Sequence, residues 1–458
     1  MAKPLRSCFN CRSNERAAAA RKRKGMIAMK RVFALLLSAL LLLGLLSGCA
    51  GQAEETGGPE GEETVQPADS EDAGEPPAEP EQEAEQTGDP YDAVRNYWSA
   101  DQLTQAWGPD QVVEHLFFHP IIAYPKYAFH ESGASQSQRY GLDDWMVTVD
   151  EYNKILQAVY DKGYILVAME DVWSEYTDES GEARMKRNTL MLPEGKKPLV
   201  ISFDDVNYYP YMLEEGFTSK LVVGEDGEIW AECLDPYTKE TFLTKELDAT
   251  PILDQFVYAH PDFSLNGAKA VFSLTGYQGI LGYRTQDDRD IAKDSPERPA
   301  FEAYRAAEIE GVKPVIARLK ETGWTFGSHT WGHIRLDSKP LQVVINDTER
   351  WADEVGSLVG PTQILFYPHG GRPDGDDWHH TGERFRYLQS QGFRVFASVG
   401  TSSFSYVKDD ISAVICDRLH PDGTTLRHAR SKYLQFYQAE DIMDVDIRPN
   451  DASHTVDW

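Results

Sequence analysis

Trp324-Thr325-Phe326-Gly327-Ser328-His329-Thr330-Trp331-Gly332-His333 is the stretch that decides the fold. Just upstream, Val315, Ile316 and Leu319 recur at helical spacing, and Gly323 reads as the stop of that helix. The five residues after the stop read as a short strand, and the chain then delivers two histidines. A helix, a stop, a strand and metal-competent side chains at the strand's carboxyl end form one unit of a parallel barrel, whose chemistry collects at that end. Two histidines four apart, taken as one helical turn, would aim both rings at a single ion.

The unit repeats along the chain. Apolar strands are predicted at 112–119, 164–168, 198–203, 324–328, 363–367, 393–399 and 412–416. Helices are predicted through Tyr152, Ile155, Leu156 and Val159 with Gly163 as the stop, and over 312–322, 341–358 and 381–391. This alternation predicts an α/β fold with a parallel sheet. Residues 206–310, rich in Asp, Glu, Tyr and Gly, break the rhythm and read as a long insertion over one face. Ser202-Phe203-Asp204-Asp205 ends another strand. One of these carboxylates can bind an ion while the other stays free as a base. One aspartate oxygen and two imidazoles leave coordination positions open for water and substrate, as a hydrolytic metal needs. Taken singly, each piece also has a plain structural reading: Asp-Asp turns are common, and paired histidines occur as surface or satisfied core groups.

The 458 residues carry a net charge of -29, unevenly spread. Residues 1–48 hold ten Lys or Arg and one acid, whereas residues 51–90 hold 14 acids and no Lys or Arg. The acidity of the remainder argues against a nucleic-acid partner. Lys30-Arg31 followed by the apolar run from Val32 to Leu46 has the length of a signal-peptide core, short for a membrane span. It ends in Leu46-Ser47-Gly48-Cys49, which resembles a bacterial lipobox, so residues 1–49 read as a lipoprotein signal, with translation starting at Met26 or Met29. Residues 50–93 are too poor in large apolar side chains to offset their ordering entropy and read as a disordered acidic linker. Residues 94–458 form the globular part. Of its two cysteines, Cys233 and Cys416, a disulfide and two free thiols are both open.

Three motifs carry a resemblance. Ile201-Ser202-Phe203-Asp204-Asp205, Ser328-His329-Thr330-Trp331-Gly332-His333 and Phe366-Tyr367-Pro368-His369-Gly370 resemble the first three motifs of the polysaccharide deacetylases, carbohydrate esterase family 4 or NodB-homology domains, over roughly residues 112–430. The resemblance implies a distorted (β/α) barrel, usually seven-stranded. It implies Asp204 as general base, Asp205, His329 and His333 as metal ligands, and removal of acetyl groups from N- or O-acetylated sugars. A backbone N–H at His369 would complete an oxyanion hole. The family's general acid is a histidine after an apolar residue on the last strand, which selects His420 after Leu419, although Arg418 competes for the barrel mouth. His369 stands where the family has an aromatic, and is a second candidate acid or a sugar contact. The arginine that orients the base is replaced by Phe366.

Other residues carry paired readings. Trp331 either stacks on a sugar or packs the metal loop. Tyr208 and Tyr209 line the groove or sit in a solvated loop. His119, near the barrel mouth, is read as packing rather than reacting, and His379-His380 as exposed rather than as ligands. The sequence thus predicts a lipid-anchored, metal-dependent polysaccharide deacetylase on the outer face of a bacterial membrane, acting on peptidoglycan or another N-acetylglucosamine polymer. Zinc is the default ion, with cobalt, nickel, manganese and iron open. The alternative is a glycan-binding lipoprotein on the same fold whose chemistry is lost. A transporter's solute-binding component would not require the Asp-Asp and His-His pairs.

Overall fold

The structure is a computed structural model and describes residues 88–375, 380–449, 451, 454 and 455. The signal and lipobox, and the linker up to residue 87, lie outside the described residues. Seven parallel strands form the barrel: β1 (Glu114–Phe118), β2 (Lys197–Asp204), β3 (Ala270–Leu274), β4 (Thr325–Ser328), β5 (Ile364–Phe366), β6 (Val395–Val399) and β7 (Ala413–Arg418). Each pairs with the next in parallel register. The ring closes by one bridge, Leu116 to Leu419, through bonds from Phe117 N to Leu419 O and from Leu419 N to His115 O, both 2.9 Å. This is the distorted seven-stranded α/β barrel that the sequence predicts. A short strand, Tyr164–Leu166, lies along the start of β2, and Phe404–Lys408 runs antiparallel on β7.

The two-residue period of the strands sorts the barrel into two faces. Ile201 and Phe203 join the cluster that packs on the helices, while Val200 joins the inner cluster with Val271, Ile364, Phe366, Val395, Ala397, Val414 and Cys416. Ser202 and Asp204 share the parity of Val200, and Arg418 shares that of Val414 and Cys416. The alternation therefore turns Asp204 and Arg418 into the same interior.

Helix α1 (Val149–Asp161) buries the four predicted apolar residues. Its start is fixed by a capping box: Glu151 N donates to Thr148 Oγ1 (3.2 Å) and Thr148 N donates to Glu151 Oε2 (2.8 Å). Gly163 follows with φ 78°, a conformation that favours glycine. Helix α2 (Arg298–Glu321) begins well before the predicted 312, because none of its residues before Val312 is buried and so no apolar stripe marks them. Polar contacts hold that half instead: Arg298 pairs with Asp287 at 2.7 Å, and Arg305 Nε donates to Thr285 O at 2.7 Å. Helices α3 (Leu341–Trp351) and α4 (Glu383–Ser390) fall within their predicted ranges.

The insertion read over 206–310 needs correction. It is divided by barrel strand β3, every residue of which is buried. A five-residue apolar run inside a Tyr- and Asp-rich stretch gives no periodicity from which to recognise it. Before β3 comes a three-stranded antiparallel sheet (Thr218–Val223, Ile229–Leu234 and Thr241–Thr244) and a helix at Ala249–Ala259. Cys233 and Cys416 are buried free thiols. Among the described residues no helix is long and apolar enough to cross a membrane.

Candidate metal centre

The two histidines do not lie on a helical turn, as the spacing had suggested. They leave β4 in a loop, with Thr330 at φ 60° and His333 at φ 50°. The Asp347 carboxylate on α3 accepts from the backbone N–H of Trp331 (2.7 Å) and Gly332 (2.8 Å), and Thr330 Oγ1 accepts from Ile334 N (3.0 Å). These bonds satisfy the loop's amides and replace the helix as the device that folds His333 back beside His329. The two rings lie 4.8 Å apart.

Asp205 follows β2 with φ 60°, and its N–H donates to Ser273 O of β3. Its Oδ1 accepts from Tyr209 Oη at 3.1 Å, and its Oδ2 lies 3.4 Å from His333 Nε2. One ligand atom each from Asp205, His329 and His333 falls within 4.8 Å of the others. Two ligands about 2.1 Å from a tetrahedral ion stand ~3.4 Å apart, so the Asp205–His333 edge already has the length such an ion needs. His329 Nδ1 lies 3.0 Å from the Phe366 carbonyl, which can only accept. The proton is therefore on Nδ1, and the Nε2 lone pair faces the cluster. Burial lowers the His329 pKa, with Asp204 opposing, so the ring is neutral and ligand-competent at neutral pH. The donor set fits a divalent ion.

Asp204 stays outside this set, 3.6 Å from His329 Nε2 at Oδ2. Arg418 grips it with two parallel bonds, Nη1 to Oδ1 at 2.7 Å and Nη2 to Oδ2 at 2.9 Å. The guanidinium is fully buried between the rings of Phe117 and Phe366, 4.1 and 4.5 Å from their centroids. Burial would raise the Asp204 pKa, but Arg418 and then His329 outweigh it and hold the carboxyl well below the ordinary range. The arginine expected beside Asp204, and absent at Phe366, thus has a counterpart in Arg418 of β7. Phe366 contributes its ring as a platform for that arginine and its carbonyl as the anchor of His329. The signal for Arg418 lay in the sequence, in its alternation with Val414 and Cys416, but the spacing left it competing with His420.

Arg418 thus lies buried on Asp204, and His420 lies just beyond it on the same chain. His420, one residue beyond the closing bridge, stacks on Phe117 with centroids 4.2 Å apart. Its Nδ1 lies 2.7 Å from Asp422 Oδ2, and its Nε2 lies 3.0 Å from His119 Nδ1. His119, expected only to pack, thus partners His420. Burial, and then His420, pull its pKa down to about 4, while Asp204 and Asp205 act in the opposite sense. His369 has φ 55° and its ring sits 4.3 Å from that of His333, at the rim of the ligand cluster. Trp331 packs: its Nε1 donates to Glu354 (3.0 Å) and Arg350 covers its ring at 3.4 Å. Tyr208 is buried on Asp248 rather than lining a groove. His380 is buried against Phe385, contrary to the exposed reading, and residues 376–379 lie outside the described residues.

Comparison with known proteins bears on the same residues. Residues 285–382 match the polysaccharide deacetylase family model. The polysaccharide deacetylase match covers His329, His333, Phe366 and His369, and β2 and β3 bring Asp204 and Asp205 against it. Solved structures similar to the chain include the Streptococcus pyogenes deacetylase PplD in complex with acetate, at 15% identity and a TM-score of 0.36 over 69% of this chain and 94% of that one. They also include a polysaccharide deacetylase from Bacillus cereus (13%, TM-score 0.37, 73% of this chain and 69% of that one). A third is IcaB from Ammonifex degensii (15%, TM-score 0.31, 63% and 83%). No curated protein matches the chain in sequence.

Proposed function

We propose that the protein is a metal-dependent deacetylase that hydrolyses acetyl groups from an N- or O-acetylated polysaccharide. The observation that carries this reading is one mouth holding a three-ligand cluster, Asp205, His329 and His333, beside a carboxylate, Asp204, kept out of the cluster by Arg418. A divalent ion in the cluster would supply Lewis-acid chemistry, polarising an acetyl carbonyl and acidifying water. Zinc suits the ligand set, and cobalt, nickel, manganese and iron are compatible with it.

The chain's own groups do the rest. Asp204 takes the proton of the attacking water, and Arg418 keeps that carboxylate ionised and fixed in direction. Asp422 holds His420 through Nδ1, and Nε2, which shares a hydrogen bond with His119 Nδ1, is the atom that carries the proton to the leaving amine or alcohol. The binding-only reading rested on Phe366 and on doubt about His420. Arg418 on Asp204 and the Asp422–His420–His119 chain favour the enzyme. The lipobox-like Leu46-Ser47-Gly48-Cys49 supports a lipid-anchored place on the outer face of a bacterial membrane, and hence peptidoglycan or another N-acetylglucosamine polymer as substrate.

The test is acetate release from N-acetylglucosamine oligomers, peptidoglycan and acetylated xylan, with zinc, with cobalt and with chelator. Metal-dependent acetate from at least one is the expected result. None from all three, with ion still bound, would favour a binding protein. His420→Ala is expected to lower kcat by about 10²–10⁴, the usual contribution of a general acid. An unchanged rate would move the role to His369 or another group.

A further inference from the structure

Away from the ligand cluster, a row of tyrosines leads to a second concavity. Tyr209, whose hydroxyl donates to Asp205, is stacked on Tyr211 at 6.0 Å between centroids and 13° between planes. Tyr211 is 44% exposed and forms a wall of a cavity of about 440 Å³, which Tyr127, Gln138, Glu215 and Lys239 also line. The Tyr211 phenol is raised by burial and then by both Asp205 and Glu215, so it stands within electrostatic reach of the two carboxylates. The stacked pair therefore runs from Asp205, which Tyr209 touches, to the cavity wall that Tyr211 forms.

Glu215 gives the cavity its chemistry. It is only 4% exposed, its Oε1 accepts from Gln138 Nε2 at 3.1 Å, and its Oε2 has no hydrogen-bond partner among the described residues. A buried carboxylate oxygen without a donor is costly, and a ligand O–H or N–H would relieve it. A flat aromatic face beside such an acceptor is the pairing that a sugar ring needs: C–H groups on the ring face, hydroxyls on the acceptor.

We propose that this cavity is a subsite for a sugar unit of the same polymer whose acetylated unit lies at the metal centre, with Tyr211 as the stacking face and Glu215 as the hydroxyl or amine acceptor. The proposal rests on the deacetylase reading and adds a preference for chains over single sugars. Neither residue touches the reacting groups, so their loss separates binding from chemistry.

The experiment compares wild type, Tyr211→Ala and Glu215→Gln in the full chain loaded with metal. KM for an N-acetylglucosamine pentamer should rise about 5- to 10-fold in each variant, the size of one lost aromatic or hydrogen-bonded contact. The kcat on a small aryl acetate, too short to reach the cavity, should be unchanged. Pentamer Kd measured by calorimetry under chelator should weaken by a similar factor. An unchanged KM and Kd in both variants would overturn the proposal. Absence of turnover in wild type would instead count against the deacetylase reading, and the Kd comparison would still decide the subsite.

Discussion

Asp204→Asn is expected to lower acetate release by about 10³- to 10⁴-fold, near the upper end of what a general base contributes, while leaving the ion bound. The atoms placed to hold an ion belong to Asp205, His329 and His333, and the Asp204 carboxylate faces Arg418 instead. The substitution has a second consequence. It leaves a fully buried guanidinium without its counter-charge, which costs on the order of 3–5 kcal/mol of stability. Rate and stability must therefore be separated. Adding Arg418→Met to Asp204→Asn removes the stranded charge, so the double variant should regain most of the lost stability and none of the turnover. Recovery of turnover in the double variant would mean that Asp204 acts only as a structural partner of Arg418. The comparison is made with kcat measured well below each variant's unfolding midpoint.

Arg448→Met is expected to be the most destabilising single change away from the site. The Arg448 side chain is wholly buried and donates to Glu151 Oε1 (2.7 Å) and Oε2 (2.6 Å), to Asp143 Oδ1 (2.8 Å), and to the carbonyls of Asp143 and Met146 (both 2.8 Å). Asp143 retains Arg427, but Glu151, which also caps α1, would have no cation. Removing one partner of a buried pair costs about 3–5 kcal/mol. The effect carries a pH signature. Burial would raise the Glu151 pKa, but Arg448 outweighs it and the folded value is lowered. Its stabilising contribution is therefore complete above the unfolded value near pH ~4.3 and is lost as pH falls through the lowered folded one. In Arg448→Met the unpaired Glu151 takes up a proton on folding, so the stability gap should be widest near neutrality and narrow as the pH approaches 4. Urea unfolding at several pH values reads this directly. A gap that does not change with pH would mean that packing, rather than charge, sets the cost.

The strands that hold the site were legible because each is a short apolar run followed by a polar residue at the barrel mouth, and β2 and β4 ended where Asp204 and His329 required. The parity of β7 also spoke for Arg418, since Val414, Cys416 and Arg418 must share a face. What it lacked was the register between β7 and β2, which only the closed ring supplies and which sets Arg418 on Asp204. Other features were hidden for identifiable reasons. The His329–His333 spacing fits a helical turn as well as a loop, and it is Asp347, on a different element, that decides between them. Strand β3 was masked by the Asp-, Glu-, Tyr- and Gly-rich stretch around it, which reads as one insertion. The first half of α2 has no buried face to leave a pattern, because ion pairs hold it. His119 lies 301 residues from His420, and no local signal links two histidines so distant in sequence.

The most direct test of the metal centre is a calorimetric zinc titration of the full chain as wild type, Asp204→Asn and His329→Ala. One bound equivalent in wild type and in Asp204→Asn, with binding lost in His329→Ala, is the predicted result. An Asp204→Asn protein that no longer binds the ion, or an His329→Ala protein that binds it undiminished, would contradict the separation of base from ligands on which the proposed chemistry stands.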